Sequence, residues 1–192
     1  MNSSERPTLE QLEREHRRLL RNKRRSRALR RALGITLVVL ALGILVSSLL
    51  LPVLLVQGSS MEPTLREGQA VICLRGSRFE RGDIVAFSYG DRILIKRVIA
   101  GEGDTVDMDE AGHVYLNGEL LREDYVREQA VGNLSMALPC TVPEDCWFLM
   151  GDQRSVSVDS RSSLVGFVST EQILGRVQLR VWPLWYLGKI ES

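Results

Sequence analysis

Residues 32–65 read "ALGITLVVLALGILVSSLLLPVLLVQGSSMEPTL", and this stretch divides the chain into parts suited to different surroundings. Its first 25 residues, Ala32 to Val56, carry no charged side chain. As a helix rising about 1.5 Å per residue they would reach roughly 37 Å, enough to cross a hydrocarbon core of about 30 Å with some tilt. The apolar core of a secretory signal peptide, roughly 7–15 residues, is much shorter. The expectation is therefore one transmembrane helix over 32–56, with Pro52 in its last turn, where a proline is cheap.

Charge is split across this stretch. The net charge of +1 for all 192 residues hides an excess of eleven Lys/Arg over four Asp/Glu in residues 1–31, against fourteen basic and twenty acidic groups in the rest. Lys and Arg beside a span are retained in the cytoplasm, so the arm 1–31 is expected inside and residues 57–192 outside. A basic arm can bind nucleic acid, but one placed directly before a span is better suited to setting topology and meeting anionic headgroups. No nucleic-acid partner is expected. Thr8 and Gln11 have capping-box spacing, and Leu9, Leu12, His16, Leu19 and Leu20 recur at helical intervals, so the arm reads as a helix.

From Gly58 the pattern changes to short β-branched runs separated by turn residues. Strands are expected at 70–74, 84–88, 92–100, 105–108, 114–121, 147–150, 164–168 and 176–182. Asn117-Gly118 suits a tight hairpin turn. Residues 122–145 are polar and irregular and read as an insertion loop. The fold class is mainly β, in one exported domain. Cys140 and Cys146, in "CTVPEDC", lie where a disulfide can persist, with two free thiols as the alternative. Cys73 alternates like a buried strand residue.

Four stretches stand out for chemistry: "GSSMEPTL" (58–65), "RGDIVAF" (81–87), "LIKRVIAGEGD" (94–104) and "MGDQRSVSVDSR" (150–161). Only two histidines are present, His16 before the span and His113 in an expected hairpin, so a Ser-His-Asp triad is poorly supplied. No zinc spacing and no phosphate loop is found, and neither metal nor cofactor is expected. An activated serine would then depend on a lysine. In an extended strand Lys96 shares one face with Leu94 and Val98, while Ile95, Arg97 and Ile99 take the other. Apolar neighbours disfavour the ammonium form and lower a lysine's pKa, which makes a general base of it near neutral pH. A salt-bridged or snorkelling strand lysine is the competing reading.

In order and spacing, the four stretches resemble the bacterial type I signal peptidases, in the Gram-positive-like branch. That resemblance implies a signal-peptidase-type β domain anchored by one N-terminal transmembrane helix, in the plasma membrane of a bacterium. It implies removal of signal peptides from exported preproteins, after small residues at Ala-x-Ala type sites. Ser60 matches the nucleophile and Lys96 the general base. Ser157 matches a serine that orients the lysine, and Asp159 and Arg161 an ion pair that supports the site. Asp152 and Arg154 match residues that shape the same loop. Val56, Met61, Leu65, Leu94 and Ile95 match the lining of shallow substrate pockets. The implied partners are preproteins, the lipid bilayer and the protein-export machinery.

Two positions depart from the family pattern. Gly58 stands where many members carry a serine whose hydroxyl could help hold an oxyanion, and Gln153 stands where asparagine is usual. Lysine at position 96 separates this chain from the endoplasmic-reticulum branch, which uses histidine there. A non-catalytic or specialised relative in pilus or surface-protein biogenesis is the alternative, opposed by the presence of both Ser60 and Lys96. A self-cleaving repressor-type Ser-Lys protease would be soluble and carry a DNA-binding helix-turn-helix instead of a span. Trp182, Trp185 and Tyr186, in "RVWPLWYLG", suit either core packing or contact with a membrane interface.

Overall fold

The computed structural model describes residues 30–45, 51–76 and 78–190, in two compact units, 1–47 and 48–192. In the first unit residues 30–45 are helical. Among the described residues no helix is long and apolar enough to cross a membrane. The expected helical arm lies outside the described residues except for its last two.

The far end of the apolar run is not helix. Pro52 has no N–H to donate and disfavours helical geometry in the residue before it. Beyond it, Val53–Leu55 forms strand β1, antiparallel to β2 (Ala70–Leu74), and Val56 is buried in the β core. The expected helix 32–56 is thus corrected at its C-terminal end: residues 53–56 belong to the second unit.

That unit is built on two sheets. Beyond β1 and β2 the chain forms β3 (Ile84–Tyr89), β4 (Arg92–Ala100), β5 (Thr105–Met108), β6 (Val114–Leu116) and β7 (Glu119–Leu120). Then come β8 (Cys140–Thr141), β9 (Cys146–Met150), β10 (Val168–Ser169), β11 (Ile173–Trp182) and β12 (Gly188–Lys189). The large sheet runs β1-β2-β11-β3-β4-β9-β10, with β12 also on β11, and the small one runs β7-β6-β5-β8. Asn117 and Gly118 both have positive φ, as a two-residue turn between β6 and β7 requires.

The expected strand at 164–168 is replaced by a turn, because the amides of Val165 and Gly166 both donate to the Ser162 carbonyl. Pairing begins only at Val168, opposite Trp147. The expected Cys140–Cys146 bridge is absent, and both thiols are free. Cys140 is held in the small sheet beside Val106 and Cys146 in the large one beside Ser169, so each follows its own ladder. Cys73 is fully buried, and burial pushes its thiol up to about 11, which suits a packing residue.

β4 positions the site through alternation. Leu94 and Val98 pack in one cluster with Val85 and Phe87, whereas Ile95 packs on the other side against Ile84, Ala86 and Met61. Lys96, between Leu94 and Val98, stands opposite Val85 in the β3–β4 ladder.

Candidate active site

Ser60 stands at the front of a loop that is closed at its base. The Val56 amide donates to the Gln69 carbonyl, and the Gly68 amide donates back to the Val56 carbonyl. Within the loop the Leu65 amide donates to the Met61 carbonyl, one turn of helical geometry that puts both side chains into the core. The turn leaves Ser60 half-buried, with its hydroxyl toward β4.

Lys96 Nζ meets Ser60 Oγ at 2.7 Å. The lysine is only 3 % exposed, and among the described residues no carboxylate bonds to its amine. Burial lowers its pKa from 10.5 to about 8; the nearby charges of Asp159 and Asp152 oppose this and Arg161 assists it. A lysine so poised supplies free amine near neutral pH, within reach of a hydroxyl proton.

Each aspartate is paired with a guanidinium of its own. Asp152 accepts Arg97 Nε at 2.9 Å and Nη2 at 2.8 Å, and the Thr64 hydroxyl also donates to it. Asp159 accepts Arg161 Nε at 2.8 Å and Nη2 at 2.9 Å. Burial pushes the Asp159 carboxyl up, but the Arg161 fork, the Gly151 amide and the neighbouring Ser157 hydroxyl outweigh it and hold the group low. Ser157 is buried close enough to favour that anion, yet among the described residues its hydroxyl forms no well-aligned hydrogen bond, to Lys96 or to any other group.

The loop that begins at Gly151 is bonded to Ser60. The Gln153 amide donates to the Ser60 carbonyl at 3.1 Å. A Cβ on Gly151 would lie 2.5 Å from that same carbonyl oxygen and would collide with the Ser157 hydroxyl, so the close approach requires glycine. Gln153 Oε1 is buried without a hydrogen-bond partner among the described residues. Gly58 has φ +75° and open space around it, so a serine there would need a left-handed backbone.

Of the residues expected to line substrate pockets, Val56, Met61, Leu65 and Ile95 come together in one cluster. Leu94 does not, because it packs on the opposite face of β4. His113 pairs with Asp109 at 3.0 Å, but this exposed pair lies in the turn between β5 and β6. Among the described residues no group of His, Cys, Asp and Glu could hold a metal ion.

Sequence reasoning missed three participants. Arg97 is fully buried and is the partner of Asp152. Glu123 and Tyr125 come from the stretch read as an insertion loop: Glu123 pairs with Arg154, and the Tyr125 ring lies 4.0 Å under the Arg97 guanidinium. An acid and an aromatic in a polar run carry little signal by themselves; the buried arginines that need partners were the available clue.

The signal peptidase family, peptidase S26, matches residues 29–182 of this chain. A probable signal peptidase I-2 of Synechocystis is 35 % identical over 166 residues, covering 80 % of this chain and 72 % of its own length. A signal peptidase I of Bacillus licheniformis is 34 % identical over 168 residues, covering 81 % of this chain and 89 % of its own. A crystal structure of a signal peptidase I from Enterococcus faecalis V583 is 30 % identical, covers 52 % of this chain and 97 % of that one, and superposes with a TM-score of 0.43.

Proposed function

Because this chain belongs to the signal peptidase family, peptidase S26, we propose a mechanism in which Ser60 and Lys96 carry out its reaction. The protein is a serine endopeptidase that removes signal peptides from preproteins. The observation that carries the assignment of residues is the 2.7 Å contact between a buried lysine and a half-buried serine.

In this mechanism the neutral amine of Lys96 takes the proton of Ser60 Oγ as the oxygen attacks the scissile carbonyl. The main-chain N–H of Ser60 donates to no group among the described residues and is the donor for the developing oxyanion. The ammonium of Lys96 returns its proton to the leaving amine, and the mature protein departs. Water, deprotonated by the regenerated amine, then hydrolyses the acyl-enzyme. Val56, Met61 and Leu65, close to Ser60 in the chain, form an apolar cluster with Ile95, and a preference for small residues before the cut is assigned to it. The substrate segment binds extended along this surface.

The uncharged run that begins at Ala32 anchors the enzyme, with the basic arm on the cytoplasmic side. Trp182, Leu184, Trp185, Tyr186 and Leu187 are all exposed, which fits contact with a membrane interface better than core packing. The deciding experiment is cleavage of a preprotein in vesicles by wild type, Ser60→Ala and Lys96→Ala. Both variants should be inactive; full activity in either would refute the assignment.

A further inference from the structure

Residues 123–131 do more than fill space. One short, irregular segment provides a partner for each of three buried guanidiniums. The Tyr125 ring lies under Arg97, the Glu123 carboxylate takes the Arg154 fork, and the carbonyls of Ala130 and Val131 accept from Arg161 Nη1. On their other sides these arginines hold Asp152, the Gly151 carbonyl and Asp159 respectively.

Glu123 is the charged member of this strap. Its side chain is 1 % exposed and that of Arg154 is fully buried. A buried carboxylate is tolerated only when paired and hydrogen-bonded, and here the fork, the Tyr125 hydroxyl at 2.9 Å and the Gln129 amide all donate to it. Arg154 carries the constraint onward. Its Nε donates to the Gly151 carbonyl at 3.1 Å, and its own carbonyl accepts from Arg161 Nη2 at 2.9 Å. Between Gly151 and Arg154 lies Gln153, whose amide holds the Ser60 carbonyl.

We propose that Glu123 is a positioning residue for the reaction, acting through Arg154 to hold the 151–154 loop against Ser60. The inference rests on the Ser60–Lys96 reading above. Glu123 touches neither Ser60 nor Lys96, so its loss should act on the rate of the bound complex and not on substrate affinity. Misplacement of a reacting group by about 1 Å can cost about a hundredfold in rate.

The test is steady-state preprotein cleavage in vesicles by Glu123→Gln, Glu123→Asp, Tyr125→Phe and Ser60→Ala, with rates normalised to folded enzyme. Glutamine keeps the shape of the side chain but leaves the Arg154 charge unpaired. For Glu123→Gln the expected result is kcat lowered about tenfold or more with KM within about twofold, and partial recovery in Glu123→Asp. A kcat within about twofold of wild type in folded Glu123→Gln overturns the proposal, as does a loss confined to KM. If Glu123→Gln does not fold, Tyr125→Phe decides: it removes one hydrogen bond to the carboxylate and keeps the ring on Arg97. A fall in kcat of about threefold at constant KM supports the proposal, and unchanged kcat overturns it. Activity in Ser60→Ala would instead refute the underlying site, whereas inactive Ser60→Ala with fully active Glu123→Gln removes only the role of Glu123.

Discussion

Lys96 Nζ and Ser60 Oγ meet at 2.7 Å although 36 positions separate them in the chain. The two come from different kinds of structure, a paired strand interior and a pinned loop, and share one hydrogen bond. They should therefore behave as one unit. Ser60→Ala and Lys96→Ala should each reduce preprotein cleavage by about a thousandfold or more, and the double variant should be no worse than either single one. Independent, multiplicative losses in single-turnover assays would count against a dyad.

The pH dependence follows from the buried amine. With Lys96 near 8, kcat/KM should fall about tenfold for each pH unit below that value, because only the neutral amine accepts the serine proton. Asp159 raises the Lys96 pKa, so Asp159→Asn should move the acid limb to lower pH as well as reducing the maximum rate. A limb that stayed near the ordinary lysine value of 10.5 would contradict the buried-base account.

The same burial has a cost in stability. The folded-state pKa of about 8 lies below the ordinary 10.5, so between these values the unfolded chain binds more protons than the folded one. Stability then rises with pH across that window, and the full cost of about 3 kcal/mol applies below it. Lys96→Met fills a similar volume without the charge. It should be inactive and more stable than wild type at pH 7 in denaturant melts, with the difference gone by about pH 10.5. A less stable variant at pH 7 would show that the lysine is a net structural asset.

Gly151→Ala tests the loop directly. The added methyl would clash with both the Ser157 hydroxyl and the Ser60 carbonyl. Activity should fall about a hundredfold or more, with stability lowered by about 1–3 kcal/mol. Wild-type turnover in this variant would mean that the loop can retreat without moving the nucleophile.

The exposed aromatics make a separate prediction for vesicles. Trp185 is 77 % exposed and Trp182 52 %, and the third tryptophan, Trp147, is half-buried with its indole N–H bonded to Thr170. Lipids brominated near the headgroup should quench wild-type fluorescence, and the effect should be largely lost in Trp182→Phe/Trp185→Phe. Equal quenching in both proteins would place the tip away from the interface.

Much of the β unit was legible because its signals are local. The alternation in β4 placed Lys96 between Leu94 and Val98, and Asn117-Gly118 marked its turn. The apolar run misled at Val53–Leu55, because three hydrophobic residues suit the end of a span and an edge strand equally well. Glu123 and Tyr125 were not legible, since their partners Arg154 and Arg97 lie about thirty residues away on either side of them. Nothing in a polar run announces which of its acids will be buried.

The hairpin joining β3 and β4 turns on only two residues, Gly90 and Asp91, with Tyr89 opposite Arg92. Because side chains alternate along a strand, a slip of one position there would exchange Lys96 and Arg97. The enzyme would then present a guanidinium, which does not give up its proton, where an amine must. A tight turn 5 residues before Lys96 thus acts as a frame-keeper for the proposed chemistry, and a single-residue insertion at its tip should silence the enzyme while leaving every side chain of the proposed site in its sequence.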